Sequence, residues 1–555
     1  MENKVVYGQE ARKLLKEGVD LVANGVKVTL GKQGLNVMCV RDLLLPILTK
    51  DGVSVSKEIE SENPIINAGA SLVKQVSNQT NEGAGDGTTS SVVLAQAIVH
   101  EADFVLNTGK VNAISLKRGL DLALDFSLKH LKTLSRNSSN LKTLKSIANV
   151  STNGDEEISD LVVEAFRKVG KSGTIKVEET DSITSSVESS LGYELDVPFS
   201  LAEFINDREK FEAVFEDMNV LIYQGHLKDK RQLNKAIELS TTKDENGELG
   251  VFEGLLIICD NISGHVQKEI LEFSYQGFKM MNLRSPSFGA RKNETLKDIA
   301  SLIGAKVYSE DLGDDLDNVT LEGLGHIDKV ISDANKSVLI GGKGNQEEIK
   351  VRTEIVKQQI KNITGGKKET EYVKERYSKL TKGVAVIKVG GYSAPEKREK
   401  TDRVEDALCA VKACLEEGYV AGGGVTYLNI ANALKSAKIE VRNKDEQKGV
   451  EVLIRSLEYP FTQILENAGI KYKSKFLLWT LNSNKFLERI EKQEYGYGID
   501  LENNDFTDLF ERGIIDPTKV ERLALQNAVS ISGTFLTLGA ITYNSASIFT
   551  ANGQK

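Results

Sequence analysis

Apolar residues follow helical spacing near both ends of the chain. Between residues 15 and 26, and again between residues 403 and 416, they return every three or four positions, which places them on one face of a helix. A third apolar segment follows a glycine cluster near Gly83 and predicts another long helix. The apolar positions in these segments are Leu15, Val19, Val22 and Val26, then Val92, Val93, Leu94 and Ile98, and then Val404, Leu408, Val411 and Leu415.

The middle of the chain has a different pattern. Residues 255–258 form a short, continuous apolar run, which is typical of a buried strand, and residues 384–389 form another. After the first run, Val266, Ile270 and Phe273 return to helical spacing. Alternating strands and helices predict an α/β domain in this region.

Composition narrows the class of protein. With 555 residues, 40% of them hydrophobic, the chain is long enough for about three domains of roughly 150 residues each. The net charge of −9 argues against a nucleic-acid partner, because phosphate contacts need a basic surface. No apolar run approaches the ~20 residues of a membrane span, so we expect no membrane contact.

The cysteines and the first residues indicate the compartment. Cys39, Cys259, Cys409 and Cys414 are widely scattered and form no CxxC pair, so we expect free thiols rather than a zinc or redox site. The residues after Met1 contain no apolar signal core. We therefore expect a cytoplasmic, reducing location.

Three glycine-containing clusters are candidates for binding a nucleotide. Residues 29–34 superficially match a P-loop, but Gln33 stands where Ser or Thr must bind magnesium. Residues 83–90 are the better candidate for a phosphate site, because they lie at the start of a predicted helix whose dipole attracts anions. Asp86 in this cluster offers an oxygen for Mg²⁺. An ordinary capped glycine turn would contain the same residues. Residues 421–424 allow the backbone to approach a base or ribose closely.

Asp406 lies on the helix predicted for residues 403–416, but off its apolar stripe. A carboxylate that faces a cleft can orient or deprotonate water, which is the task of a general base. A solvated acid on the outer face of a helix gives the same pattern. The residues alone leave both interpretations open.

Taken together and in this order, these clusters resemble the group I chaperonins, the heat-shock class of bacteria and organelles. The similarity runs from about Tyr7 to Tyr543. It is most specific in residues 28–31 with 34, 36 and 37, then 49–55, 84–89, 403–408, 416–418 with 421–424, and 516–520. The resemblance implies an ATP-driven subunit of a ring that folds non-native proteins.

The resemblance also implies a multidomain α+β fold, which goes out and back through three domains. Residues 1–133 and 417–555 would form a helical equatorial domain that binds ATP. Residues 134–190 and 385–416 would form a small intermediate hinge domain, and residues 191–384 an α/β apical domain that binds clients. Gly192 and Gly383 bracket the apical domain and would act as hinges.

Matched positions imply roles for individual residues. Asp86 would bind Mg²⁺, Asp51 would position the attacking water, and Asp406 would be the catalytic carboxylate that a domain movement brings over ATP. K⁺ is a further cofactor that the resemblance implies. The residues expected around the phosphates are Thr29, Leu30, Gly31, Lys50, Gly87, Thr88, Thr89 and Ser90, and those expected at the base and ribose are Gly423 and Asp516.

The client-binding face is expected to be of mixed polarity. Its apolar positions would be Phe199, Phe204, Ile237 and Leu271, and the polar residues beside them Glu203, Asn234, Gln267 and Glu272. Each large apolar contact that is lost costs about 1.5–3 kcal/mol of burial. We therefore expect weak capture of clients or of a co-chaperonin lid.

The chain also departs from the family pattern. Lys32 stands where the family has a proline, the base-side residues 495–500 lack a small polar run, and residues 550–555 lack Gly-Gly-Met repeats. Family members usually stack two rings of seven subunits. Where their ring–ring contact has an acid–base pair, this chain has Thr462 and Lys471, with Lys473 and Lys475 nearby, so we expect a labile double ring.

A second class of function stays open at this point. A ring that binds and sequesters clients without turning over ATP would share most of these features. The presence of Asp51, Asp86 and Asp406 together favours turnover.

Overall fold

The structure is a computed structural model of the chain. It describes residues 3–41, 46–108, 110–137, 140–171, 173–208, 210–243, 249–363, 366–470, 495–503 and 505–544. The lysines at positions 471, 473 and 475 and the C-terminal residues 550–555 lie outside the described residues, as do the predictions made for them.

Helices and strands alternate along the described chain. The helices are α1 (Gly8–Val26), α2 (Gly52–Glu58), α3 (Pro64–Ala84), α4 (Thr88–Thr108), α5 (Ala113–Leu134), α6 (Leu141–Ser151), α7 (Glu156–Val169), α8 (Arg231–Leu239), α9 (Gly264–Tyr275), α10 (Gly289–Ile303), α11 (Gln346–Asn362), α12 (Lys367–Lys382), α13 (Ala394–Glu417), α14 (Val425–Ser436), α15 (Lys444–Ser456), α16 (Tyr459–Asn467), α17 (Leu509–Arg512) and α18 (Thr518–Leu536). The strands are β1 (Asn3–Tyr7), β2 (Val37–Cys39), β3 (Ile47–Thr49), β4 (Thr174–Glu179), β5 (Ser186–Ser190), β6 (Gly192–Leu195), β7 (Ala213–Leu227), β8 (Thr241–Lys243), β9 (Leu249–Phe252), β10 (Leu255–Ile262), β11 (Met280–Arg284), β12 (Val307–Ser309), β13 (Gly325–Ser332), β14 (Ser337–Ile340), β15 (Val384–Val389), β16 (Tyr419–Ala421), β17 (Tyr497–Asp500), β18 (Asp505–Asp508), β19 (Ile515–Pro517) and β20 (Ala540–Asn544).

The chain forms two compact units. The first comprises Met1–Val163 and Gly391–Lys555, and the second comprises Glu164–Gly390. The finer division into three domains stays a prediction. Among the described residues, no helix has the length and the apolar character that crossing a membrane requires.

The first unit is mainly helical, and all three helices predicted from periodicity are confirmed there as α1, α4 and α13. The apolar stripe of α1 is buried against α3, where the two backbones touch. A Cβ atom on Gly18 would stand 1.9 Å from the carbonyl oxygen of Ile66, and one on Gly69 would stand 2.1 Å from that of Leu15. Only glycine permits this approach, which holds α3 and therefore its C-terminal end in place.

The second unit is built on a seven-stranded sheet with the order β11-β10-β7-β13-β14-β6, to which β12 is added beside β7. The strand predicted for residues 255–258 is the buried start of β10, which pairs in parallel with β7. The strand predicted for residues 384–389 is β15, in a three-stranded sheet with β4 and β5. The mixed strand-and-helix architecture confirms the predicted fold class of this region.

A buried ion network joins three helices of the second unit. Asp298 on α10 is fully buried and accepts hydrogen bonds from Nε of Arg352 on α11 and Nε of Arg376 on α12, each at 2.6 Å. A buried charge that loses its partner costs about 3–5 kcal/mol. Loss of either arginine would therefore leave Asp298 as an uncompensated buried charge, and the network specifies how these helices meet.

Two smaller expectations can be compared with the structure. All four cysteines are free thiols, as predicted. Gly383 has a φ of +63°, a conformation that other residues rarely adopt, whereas Gly192 lies in β6 and pairs with Ile340. The hinge role of both glycines stays a prediction.

Candidate nucleotide site

A cavity of about 350 Å³ in the first unit brings the predicted site residues together. These residues come from six separate segments of the sequence, and each of them lines this cavity. They are Thr29, Leu30, Gly31, Lys50, Asp51, Asp86, Gly87, Thr88, Thr89, Ser90, Asp406, Gly423 and Asp516.

The junction between α3 and α4 forms the floor for an anion. α3 ends at Gly85 and α4 begins at Thr88, so Asp86 and Gly87 occupy a tight turn. Gly87 has a φ of +77°, and a Cβ atom there would stand 2.4 Å from a side-chain carbon of Val520. The first amides of α4 lack a carbonyl one turn earlier in their own helix, and the helix dipole adds positive potential there. This geometry is that of a phosphate site.

The loop before β2 lies against the same helix start. The hydroxyl oxygens of Thr29 and Thr89 are 3.2 Å apart. The side-chain amide of Asn467 donates to the carbonyl oxygens of Lys27 and Leu30, each at 2.9 Å. The loop is therefore held in a fixed position beside the hydroxyl groups of α4.

Three carboxylates converge next to this floor. Asp51 caps α2 by accepting hydrogen bonds from the amides of Val53 and Ser54, at 3.1 and 2.7 Å. Asp86 accepts a hydrogen bond from the hydroxyl of Ser151 at 3.1 Å. Burial raises the pKa of Asp406 well above its usual value, and the neighbouring charges of Asp86 and Asp51 raise it further. Burial also raises the pKa of Asp86.

These carboxylates fit a magnesium ion that is shared with a ligand. Mg²⁺ is commonly bound by one or two carboxylates together with phosphate oxygens, rather than by a cage of protein groups. In the described part of the chain, no group of three or more His, Cys, Asp or Glu side chains is arranged to hold a metal. Asp86, beside the phosphate floor, is the residue that would hold the ion.

A second pair of carboxyl groups lines the same cavity. The amide of Gly423 hydrogen-bonds to the Asp516 carboxylate, and burial raises the pKa of Asp516 to about 6. Glu521, 6% exposed, lies beside it, and burial and the charge of Asp516 raise its pKa well above the usual value. The hydroxyl of Tyr427 donates to the main-chain carbonyl of Glu521 at 2.9 Å.

Several lining residues were not assigned a role from the sequence. Arg403 on α13 pairs with Asp155 at 2.9 Å and with Glu399 at 2.7 Å. Its spacing of four residues from Glu399 is a signal that the sequence offered. Ser151 and Glu521 lie outside the motifs, on otherwise ordinary helices, and no local pattern distinguishes them.

The predicted client-binding residues lie in the second unit and differ in exposure. Phe199, Ile237 and Leu271 are half-buried. Phe204 is 1% exposed and packs in the core, so the expectation that it contacts clients is wrong for this conformation. The polar residues predicted beside them are exposed, except Gln267, which is half-buried.

The fold and the cavity define a multidomain α+β protein with a nucleotide-type site. The model of the TCP-1/cpn60 chaperonin family matches residues 22–544, and the chain therefore belongs to this family. Among solved structures, the chain is similar to the chaperonin gp146 from the bacteriophage EL 2 (Pseudomonas aeruginosa), crystallised in the presence of ATP-BeFx. The TM-score is 0.68 at 18% sequence identity, over 98% of this chain and 99% of that one. This similarity confirms the predicted chaperonin fold.

The Asp516–Glu521 pair predicts that stability depends on pH. A carboxyl group whose pKa is raised in the folded state stabilises the fold while it holds its proton, and this contribution is lost as the pH rises through the folded pKa. Because the pKa of Asp516 rises from 3.8 to about 6, the loss begins near the lower of these two values and is largely complete just above the higher one. Glu521→Gln removes one of the two charges and should stabilise the protein at about pH 8 by about 1–3 kcal/mol.

The measurement is thermal or urea unfolding of parent and variant from about pH 4 to about pH 8. The stability gain should shrink towards acidic pH, where the parent pair keeps its proton. Glu405→Gln, an exposed change on α13, serves as the control and should show no such trend. A Glu521→Gln protein no more stable than its parent at the alkaline end would contradict the assignment.

Proposed function

We propose that this chaperonin is of the group I type, and that it hydrolyses ATP in a cytoplasmic, homo-oligomeric ring to assist the folding of non-native proteins. The observation that supports it best is the meeting of Asp51, Asp86 and Asp406 at the start of α4. The assignment to group I rests on the motifs in the sequence. The number of subunits per ring, seven, rests on the same resemblance.

In this proposal, different residues of the cavity have different roles in the transfer of phosphate to water. The amides and hydroxyls of Thr88, Thr89 and Ser90 would bind phosphate oxygens, and the Lys50 ammonium would add positive charge. Mg²⁺ bound at Asp86 would supply charge that offsets the phosphates, with K⁺ as a further cation.

Two carboxylates would act on the attacking water. The amide hydrogen bonds to Asp51 fix its carboxylate, so a free lone pair would orient the water. Asp406, whose pKa is raised, would accept the proton.

The position of Asp406 links this chemistry to the domain arrangement that we propose. It lies on α13, the helix with which the chain re-enters the first unit after Gly391. In the three-domain division, this helix belongs to the intermediate domain, residues 134–190 and 385–416. A movement of that domain would carry Asp406 towards or away from the phosphate floor, so turnover would depend on it.

Asp406→Ala should slow ATP hydrolysis about 10²-fold while ATP still binds, because general-base contributions are typically ~10²–10⁴. Single-turnover hydrolysis with a separate binding measurement tests this. Glu405→Ala, at an exposed neighbouring position, is the matched control. Hydrolysis by Asp406→Ala at the parent rate would remove this residue from the mechanism, whereas a parent that binds ATP without hydrolysing it would favour a sequestering ring.

An exposed hairpin supports assembly with other copies of the chain. Met38 on β2 pairs with Leu48 on β3, and their side chains are 62% and 56% exposed. Leu35 and Val40 beside them are 70% and 80% exposed. In the described part of the chain, β2–β3 and β1–β20 are separate two-stranded sheets, so each has an open edge that a neighbouring copy can pair with.

Met38→Lys with Leu48→Lys should therefore shift the protein from rings to smaller species, because two charges would replace apolar contact at each copy–copy boundary. Native mass spectrometry with and without ATP measures the shift. Leu122→Lys, which adds a charge at another partly exposed apolar position, should leave the ring intact. Unchanged assembly of the double variant would show that the hairpin is not part of the contact.

The polar face of α8 and α9 supports weak client capture. Asn234 is exposed on α8, and Gln267 is half-buried on α9 near the apolar Leu271. Asn234→Leu with Gln267→Leu should tighten the binding of a denatured model protein by up to about 3 kcal/mol. Lys235→Leu, the neighbouring position on α8, is the control for a general increase in apolar surface. No gain in binding over this control would exclude the face from client binding.

A further inference from the structure

One ion pair spans the opening of the nucleotide cavity. Nζ of Lys32 lies 2.6 Å from Oε2 of Glu502, and both residues line the cavity. They are 470 residues apart in the sequence. The two side chains are 40% and 65% exposed, which distinguishes this pair from the buried groups behind it.

Both ends of this ion pair are anchored. Lys32 lies in a turn that is closed by a hydrogen bond from the amide of Gly34 to the carbonyl of Gly31, at 2.9 Å. Glu502 lies in the turn between β17 and β18, where the Asp500 carboxylate accepts hydrogen bonds from the Glu502 amide at 2.9 Å and from the Asn503 side chain at 2.7 Å. The backbones are therefore fixed, and only the side chains can change partners.

Negative charge predominates in the cavity, so a cation that can move towards a bound phosphate would favour binding. Nine carboxylates but only four cations line it within the described part of the chain. Arg403 is held by Asp155 and Glu399, and Arg512 faces Asp500 at 3.9 Å. Lys50 is partly desolvated, which lowers its pKa. Lys32 remains as the cation whose partner is an exposed carboxylate.

Such a partner is easily exchanged. An exposed ion pair contributes about 0–1 kcal/mol, whereas a cation beside a phosphate forms a stronger, charge-assisted hydrogen bond. The Lys32 turn directly follows the loop that lies against the phosphate floor, since Thr29 contacts Thr89. The ammonium group can thus leave Glu502 for a phosphate without any change of the backbone.

We propose that Lys32 is a phosphate-binding residue of this site, and that Glu502 holds it across the opening until a nucleoside di- or triphosphate displaces the carboxylate. This inference rests on the proposed nucleotide binding. It gives the two residues opposite effects on affinity. Lys32 strengthens binding through its charge, and Glu502 weakens binding by competing for that charge.

The test is equilibrium binding, with Mg²⁺, of AMP, ADP and a non-hydrolysable ATP analogue to the full-length protein. Lys32→Gln should weaken binding of the ATP analogue and ADP roughly tenfold and leave AMP nearly unchanged, since the lost contact is charge-assisted. Glu502→Gln should tighten binding of the ATP analogue by roughly two- to fivefold, because the carboxylate no longer competes with the phosphate for Lys32. Both positions are exposed, so neither change should disturb folding.

The double variant separates an action through Lys32 from a general charge effect. If Glu502 acts only by holding Lys32, Lys32→Gln with Glu502→Gln should bind like Lys32→Gln alone. Lys435→Gln, which breaks an ion pair with Glu458 outside the cavity, is the control and should match the parent. An unchanged affinity of Lys32→Gln for the ATP analogue, or an equal gain from Glu502→Gln in both backgrounds, would overturn the proposal. A parent that binds none of the three nucleotides would instead overturn the proposed function.

Discussion

The repulsion among buried carboxylates is the constraint on which the first unit's site depends. Asp51, Asp86 and Asp406 line the same cavity, and burial, which makes a charge more costly, raises the pKa of Asp86 and of Asp406. Two like charges at 4 Å repel by about 4 kcal/mol at an effective dielectric constant of 20. The arrangement is therefore at its least stable when empty of positive charge. A ligand that brings a cation would offset this repulsion.

The same cavity offsets its negative charge in two further ways. Asp516 and Glu521 are buried, and a retained proton lowers their mutual repulsion. Lys32 and Glu502 form an ion pair near the surface. Salt screens exposed charges over a Debye length of ~8–10 Å but hardly affects buried ones. Ionic strength should thus act on the opening of the cavity, and pH on its interior.

The sequence predicted helices and strands well where their apolar faces are regular, as in α1, α13 and β10. The local sequence pattern could not show that Asp406 and Asp86 lie close together, because the spacing of residues within one segment does not reveal which distant segment it contacts. The resemblance to a family supplied that step. It misplaced Phe204, since a matched position does not reveal that a side chain turns into the core. It also gave no signal for Glu521 or for the Lys32–Glu502 pair.

The route of the chain places Asp406 on the helix that follows its return to the first unit. The chain leaves the first unit within α7 and returns at Gly391, just before α13. Arg403, one turn before Asp406, pairs with Asp155 just before α7, so the two connecting segments are tied together. Asp406 therefore lies on the same continuous helix as the residues that follow Gly391. In the function that we propose, a change in these connecting segments would act on Asp406 through α13.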